Sequence, residues 1–395
     1  MHVAVLSFTS IADDSRVLRT IETLAAAGHR VTAIGFGAQP NQACAFVRLP
    51  ASRGRLAHRL SAVLTQAPAN FLPASALPLH FLSRQHRAAR AALLALKPDV
   101  VHANDALALP SAMAAKHAFG AHVVYDSHEF ASEEHADNIH WRLVAQRHIR
   151  EIERLFIGEA DHVITVSDGI ARSLRALYAL PADPEVVRNT PNFALAALKP
   201  LSGPRRLLFH GVLKRGRGIE AAIEALRHLS DCVLTVRGNG APAYLAGLRS
   251  LAARLGLADR VSFEAAVPQS QVIALAAEAH IGIFCAPTQT RHNRFALPNK
   301  IFEYLMAGLA VAVTADTDLA ALVATHGCGF TASTSTPEAI AAAIREVSAA
   351  ELQAMRLRAL EAARQLSWER EQEKLLRIYQ RLAALASSPA KRASN

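Results

Sequence analysis

Short, almost wholly apolar runs separated by amphipathic stretches set the rhythm of this chain. His2-Val-Ala-Val-Leu-Ser7 predicts a buried strand. Residues 15–27 follow with Val17, Leu18, Ile21 and Leu24 on one helical face, and Gly28 ends the pattern before the apolar run 31–36. The alternation continues with a helix over 85–96, a strand over 100–102, a helix over 109–119 and a strand over 123–125. A long polar helix over 140–157 and a strand over 162–167 complete this first series. Residues 187–204, rich in Pro and Asn, break the rhythm as a hinge would. A second series runs through strands at 206–210, 233–236, 261–263, 281–284 and 310–313. Helices are predicted between them at 218–229, 244–255, 269–277 and 300–307, then at 337–365 and 369–385, with a frayed tail from Ala386. Largely apolar strands alternating with helices predict α/β architecture: two Rossmann-like, doubly wound parallel-sheet domains over 1–192 and 193–367. Their ligands are expected at the carboxyl ends of the strands, in a cleft between the domains.

Composition narrows the class. Of 395 residues, 51% are hydrophobic but only 6% aromatic, as in an Ala- and Leu-rich α/β protein. Cys44, Cys232, Cys285 and Cys328 lie too far apart for a zinc or disulfide pattern, and a reducing cytoplasm is expected. His2 to Phe8 is too short for a signal peptide and runs into Asp13-Asp14 without a cleavage pattern. The formal charge of +10 is uneven: no Asp or Glu occurs in 23–98, where Arg30, Arg48, Arg53, Arg55, Arg59, Arg84, Arg87, Arg90 and Lys97 fall. The stretch from Arg59 to Arg84 is apolar but interrupted by Pro68, Pro73 and Pro78, so it is not a spanning helix. It reads as a basic, partly apolar surface for an anionic lipid headgroup or a lipid-diphosphate acceptor, peripheral to a membrane. An arginine-rich composition with little lysine is the plain alternative. No nucleic-acid module is recognisable.

The chemistry gathers in the second half. In Leu297-Pro-Asn299-Lys300-Ile-Phe-Glu303-Tyr-Leu-Met-Ala-Gly308, Pro298 marks a helix start and Gly308 its end. A buried Glu303 near a helix N-terminus stays ionised and accepts two sugar hydroxyls, while Lys300 and the adjacent amides favour a diphosphate. His210-Gly211-Val-Leu-Lys214-Arg215-Gly216-Arg217-Gly218 follows the first strand of this half, with Arg217 placed to bind a diphosphate bidentately. Gly238, Asn239 and Gly240 make a second tight turn after the next strand.

Taken together these segments resemble the GT-B glycosyltransferases, in particular the glycosyltransferase family 4-like group, nearly end to end. Asp14-Ser-Arg16-Val17 resembles that family's opening loop and helix, and Asp99-Val-Val-His102-Ala-Asn-Asp105 its D-V-x-H-x-x-D segment. Tyr125-Asp126-Ser-His128-Glu129 resembles its Y-D-x-H-E variant, and 297–308 its donor signature. Ser367-Trp368-Glu369 resembles the start of a terminal helix, 368–385, that crosses back to the first domain. The resemblance implies transfer of a sugar from a nucleotide-diphosphate donor to a glycan or lipid-linked acceptor in surface polysaccharide or glycolipid synthesis. It implies retention, no metal and no cofactor beyond the donor. Glu303 would take the ribose hydroxyls; Gly211, Arg217, Gly238, Asn239, Gly240, Asn299 and Lys300 would complete the donor site, Arg217 and Lys300 neutralising the departing diphosphate. Asp105, Asp126 and His128 would orient or deprotonate the acceptor hydroxyl, with Asp14, Arg16, His102 and Glu129 as acceptor contacts. Asp14 has a second reading as a helix cap, and Arg16 as a solvated surface residue. The family pattern is broken at Phe295, where a first glutamate is usual, and at Val212, where an arginine is usual. A nucleotide-sugar epimerase and a catalytically inactive donor-binding protein are the competing functions. A dehydrogenase is disfavoured, since no glycine fingerprint follows the first strand.

Overall fold

The computed structural model describes residues 1–40, 43–51 and 54–387, with 55–59, 386 and 387 by their backbone alone. Arg53 and the side chains of Arg55 and Arg59 therefore lie outside the described residues, as does the tail from 388. The chain forms two compact units, one of Met1–Arg188 with the chain from Gln372 onward, the other Asn189–Glu371. The terminal helix Trp368–Ser387 thus begins in the second unit and continues in the first.

In the first unit seven strands pair in parallel: β1 (His2–Ser10), β2 (Arg30–Phe36), β3 (Ala45–Arg48), β4 (Val100–Asn104), β5 (His122–Ser127), β6 (His162–Thr165) and β7 (Glu185–Val186). Their order is β3-β2-β1-β4-β5-β6-β7. The second unit has six parallel strands: β8 (Arg205–His210), β9 (Cys232–Arg237), β10 (Val261–Glu264), β11 (Ile281–Phe284), β12 (Ala310–Thr314) and β13 (Gly329–Ala332), ordered β10-β9-β8-β11-β12-β13. Central strands such as Val3–Leu6 and Val100–Val101 are wholly buried, because helices cover both sheet faces. In each sheet the order reverses beside its first strand, at β1/β4 and β8/β11, which leaves a crevice beyond the carboxyl ends of those strands. Of the residues singled out above, Asp105 follows β4 and Gly211 follows β8, at these two points.

Three strands escape the apolar pattern: β3, β7 and β13 are all sheet edges, short and only partly buried, so they lack the continuous apolar run. The helix expected over 337–365 is two, Pro337–Glu346 and Ala349–Gln365. Val347 turns extended, and a capping box between Ser348 and Glu351 starts the second helix. The helix expected over 140–157 runs from Ile139 to Phe156 with a π-helical stretch at Arg142–Gln146. Among the described residues no helix is long and apolar enough to cross a membrane.

A buried charge network fastens the first unit. Arg16, 2% exposed, donates Nε and Nη2 to the two Asp126 carboxylate oxygens at 2.8 and 2.7 Å, and Nη1 to the Val187 carbonyl at 2.9 Å. His102 Nε2 lies 3.4 Å from Asp126 Oδ2, and its Nδ1 is 2.9 Å from the Tyr379 hydroxyl in the terminal helix. Burial would raise the Asp126 carboxyl, but Arg16 and His102 outweigh it and hold the group far below the usual carboxylate range. A second polar island holds no charge. His80 and His86 stack at 3.7 Å between ring centroids, and His80 Nδ1 lies 3.4 Å from His148 Nε2. Burial pushes His86 and His148 down to about 4 and lowers His80 as well.

Two outcomes follow for stability. Arg16→Met leaves Asp126 charged with only the longer His102 contact and is expected to cost about 3–5 kcal/mol in denaturant unfolding, whereas Arg16→Met with Asp126→Leu recovers much of the loss. A double variant no better than the single one would contradict the pairing. The buried histidines stay neutral when folded but charge near pH 6.5 when unfolded, so their contribution is complete above that pH and is lost toward about 4. At pH 5 His86 and His148 each withdraw on the order of 1–2 kcal/mol. Glu153, raised to about 7 by burial, acts in the opposite sense, so the comparison is with a variant. Between pH 7 and 5, Tm of the wild type should fall further than that of His86→Phe with His148→Leu; parallel curves would refute it.

Candidate active site

The helix Asn299–Met306 lies between β11 and β12 in the second unit, and every residue from Lys300 to Met306 is buried. Pro298 is its N-cap, with extended backbone, as the sequence predicts. Burying the first turn of this helix draws Lys300 inward. Its ammonium sits 3.8 Å from the centroid of the Phe209 ring and 5.0 Å from that of Phe284. Among the described residues no carboxylate lies within 4 Å of it. Burial and then the Arg217 charge lower the Lys300 ammonium well below its ordinary value. Such a group gains from any anion that reaches it. The α-carbon of Gly211 overlies it: a Cβ there would come within 3.4 Å of Lys300 Nζ.

One turn along, Glu303 is 8% exposed. Gln269 Nε2 donates to its Oε1 at 2.8 Å, and His210 Nε2 lies 3.0 Å from Oε2. Burial would raise this carboxyl, but His210 and Gln269 outweigh it and hold it below its usual value. Each oxygen keeps lone-pair capacity for a further donor, so an ionised Glu303 can still take a diol. The Tyr304 hydroxyl accepts from the His210 amide at 3.1 Å, which fixes the strand end above the helix. Gln269, Phe209 and Phe284 carry no motif signal and were beyond sequence reasoning; only the folded neighbourhood reveals them.

The glycines act differently from the sequence expectation. A Cβ on Gly238 would strike the Gly211 carbonyl oxygen at 1.8 Å, and one on Gly240 the Leu213 oxygen at 2.4 Å. The two loops are pressed together by hydrogen bonds from Gly211 to the Arg237 carbonyl and from Leu213 to that of Asn239. Gly238 donates to Glu264. The amides of Gly211 and Gly238 are therefore spent within the protein and do not cradle an anion; these glycines permit backbone approach instead. Asn239 is exposed beside them, Asn299 is half-buried at the helix start, and half-buried Arg217 has its guanidinium 6.0 Å from the Phe284 centroid. Phe295 ends the short helix Arg291–Phe295, and Val212 is exposed.

In the first unit Asp105 follows β4 with φ +64° and ψ +160°, a backbone region that side-chain-bearing residues avoid. Its amide donates to the Asp126 carbonyl at 3.0 Å, and its Oδ1 lies 3.4 Å from His128 Nδ1. Burial, only partly offset by His128, pushes its carboxyl up to about 6. Burial lowers His128, but Asp105 and Asp126 outweigh this and raise it. Glu129, half-buried, follows directly, its carbonyl accepting from the Ser127 hydroxyl at 2.9 Å. The other expected acceptor groups are placed differently. Asp126 and His102 are fully buried and bonded to Arg16 and Tyr379, so neither reaches an acceptor, and Arg16 is not a solvated surface residue. Asp14 caps the helix Ser15–Ala26, accepting from the amides of Arg16 and Val17 at 3.2 Å.

Comparison with known proteins agrees with this picture. Residues 14–190 match the glycosyl transferase 4-like domain, and residues 195–366 match glycosyl transferases group 1. Glycogen synthase from Mycobacterium tuberculosis is 30% identical over 152 residues, 36% of each chain, so this chain matches about a third of the length of its curated relatives. Sucrose-phosphate synthase from Thermosynechococcus elongatus superposes with a TM-score of 0.76 at 18% identity, over 98% of this chain and 100% of that one. HepE from Anabaena, in complex with UDP, gives 0.69 at 16% identity, over 96% and 100%. With those two domains in succession, each on its own doubly wound parallel sheet, the chain belongs to the GT-B glycosyltransferases.

Proposed function

We propose that this glycosyltransferase takes its sugar from a nucleotide-diphosphate donor held by the second unit and passes it to a hydroxyl of a glycan or lipid-linked acceptor held by the first. The observation that carries the reading is the Lys300 ammonium, buried against two aromatic rings without a carboxylate, one helical turn from an ionised Glu303. A diphosphate supplies an anion in direct contact, which Glu303 does not, and a ribose diol suits Glu303. Arg217 and Lys300 then neutralise the charge that develops on the departing diphosphate, where one well-placed donor is worth about 10²–10³ in rate. Asn299 and Asn239 border the same site, and a like-folded Anabaena protein holding UDP supports the choice of nucleotide. In the first unit Asp105 and His128 orient or deprotonate the acceptor, with Glu129 beside them. Strain of about 1–3 kcal/mol at Asp105 is tolerated where glycine would relieve it, which argues that the carboxylate is needed. Arg16, His102, Asp126 and Asp14 are positioning residues behind this pair. Transfer proceeds with retention and without a metal. The product is a surface polysaccharide or glycolipid, made at the inner face of a membrane.

A thermal-shift panel of nucleoside diphosphates tests the donor site. One of them should raise Tm by several degrees, and Lys300→Met, Arg217→Ala or Glu303→Ala should abolish the shift while circular dichroism stays unchanged. Turnover of the matching sugar donor should fall about 10²–10³-fold in the Lys300 and Arg217 variants and survive excess EDTA. Wild-type shifts in all three variants would defeat the reading, and interconversion of the donor sugar with no acceptor present would favour an epimerase. For the acceptor side, a base with its carboxyl near 6 is active when ionised, so kcat/KM should drop as pH falls below about 6. Asp105→Asn should lower the plateau and remove this acid limb; an unchanged limb would exclude Asp105 as its source.

A further inference from the structure

The first unit contains a groove of about 960 Å³, at the upper end of the range for small-molecule sites. Phe8, Phe36, Ala62, Leu107, Trp141 and Ala145 give it apolar walls. Two of its lining residues tie it to the neighbourhood of the Asp105–His128 pair, though neither member of the pair lines it. Leu107 is two residues beyond Asp105, and Glu134, also in the lining, is near enough to act on the Asp105 carboxyl. Two of the helical segments that line it also carry exposed apolar side chains. On the helix Gly54–Gln66, Ala62 and Thr65 line the groove while Leu60, Val63 and Leu64 are exposed. On the helical stretch 139–146, Trp141 and Ala145 line it while Ile139 and Leu143 are exposed, each over 60%. Asn70 Nδ2 donates to the Leu143 carbonyl at 2.6 Å, bringing exposed Phe71 and Leu72 to the same rim. An apolar surface of this kind leading into a groove suits a chain-like apolar ligand better than a sugar alone.

Charge adds the second half of the argument. Arg84 lines the groove and, with Phe36 and Ala51, also lines a neighbouring recess that contains Arg48. Both arginines are exposed, and among the described residues neither has a carboxylate within 4 Å. The acid-free stretch 23–98 supplies both of them and one of the apolar walls.

We propose that the acceptor is a single amphiphile: its alkyl chain lies in this groove, its anionic linkage meets Arg84 and Arg48, and its hydroxyl-bearing end reaches Asp105 and His128. This rests on the transferase reading above and specifies the acceptor class for it.

Trp141 gives a direct readout, since the chain has one other tryptophan, Trp368, which is 4% exposed in the second unit. A bromine-bearing undecyl phosphate, used below its micellar concentration, should quench wild-type fluorescence saturably and should not quench Trp141→Phe. Ala62→Phe, which fills the groove, should weaken the quench, as should Arg48→Glu with Arg84→Glu, by about tenfold or more. The brominated undecyl glycoside, which lacks charge, should bind about tenfold more weakly than the phosphate and be indifferent to the arginine changes. Equal quenching of wild type and Trp141→Phe would overturn the assignment. So would displacement of the probe by inorganic phosphate at equal concentration, or binding to phosphatidylglycerol vesicles with no quench by the soluble probe. A nucleoside-diphosphate thermal shift without quenching would sink this inference and spare the donor site. Quenching without any such shift would sink the donor reading and leave the groove as an amphiphile site.

Discussion

A cation removed from water must find an anion, a dipole or an aromatic face, and the groups nearest the Lys300 ammonium are aromatic faces, with the Glu303 charge acting on it from farther off. Phe209 and Phe284 give its ammonium a partial substitute for hydration, since their ring faces carry negative charge density. Much else in the second unit serves this placement. Gly211 turns the chain beside the ammonium at φ +109°, Gly238 lets the neighbouring loop approach Gly211, and the Tyr304 hydroxyl fixes the end of β8 above the helix. Helix Asn299–Met306 is buried on every side and has no freedom to withdraw the charge toward solvent. The protein thus holds a polar group in an uncomfortable state that a bound anion would relieve, a common way of preorganising a site.

The first unit follows a complementary design. Its two acidic groups after β4 and in β5, twenty-one positions apart in sequence, receive opposite treatment from the fold. Asp126 is given a guanidinium and an imidazole and is driven strongly acidic. Asp105 is given a weak imidazole contact, and burial, aided by the charges of Glu134, Asp126 and Asp14, drives it toward neutrality. Pairs of carboxylates pushed apart in this way commonly divide structural and chemical work between them.

Much of this was legible in the sequence, for definable reasons. The central strands β1, β4, β5, β8, β11 and β12 are covered on both faces, so each carries a run of consecutive apolar residues, and such runs are visible without a structure. Edge strands β3, β7 and β13 face fewer neighbours and leave no such mark. The donor helix was legible because Pro298, Lys300, Glu303 and Gly308 punctuate it at meaningful spacings. What the chain could not disclose was partnership. Arg16 and Asp126 are 110 positions apart, and nothing local distinguishes a buried pair from two acceptor contacts. Gln269 lies 34 positions before Glu303 and has no pattern of its own. The glycines of the second turn were visible, but their purpose, contact between two loops, depends on a neighbour outside the motif.

Tyr379 touches His102 from a helix that begins at Trp368, and Gln372 onward belongs to the same unit as the first strands. On the ribosome, His102 and Asp126 emerge more than 250 residues before Tyr379 does. The opening half of the molecule must therefore wait, its innermost hydrogen-bond chain one member short, until almost the whole polypeptide has been translated. During that interval the nascent sheet is exposed to chaperones and proteases in a form the finished protein never shows.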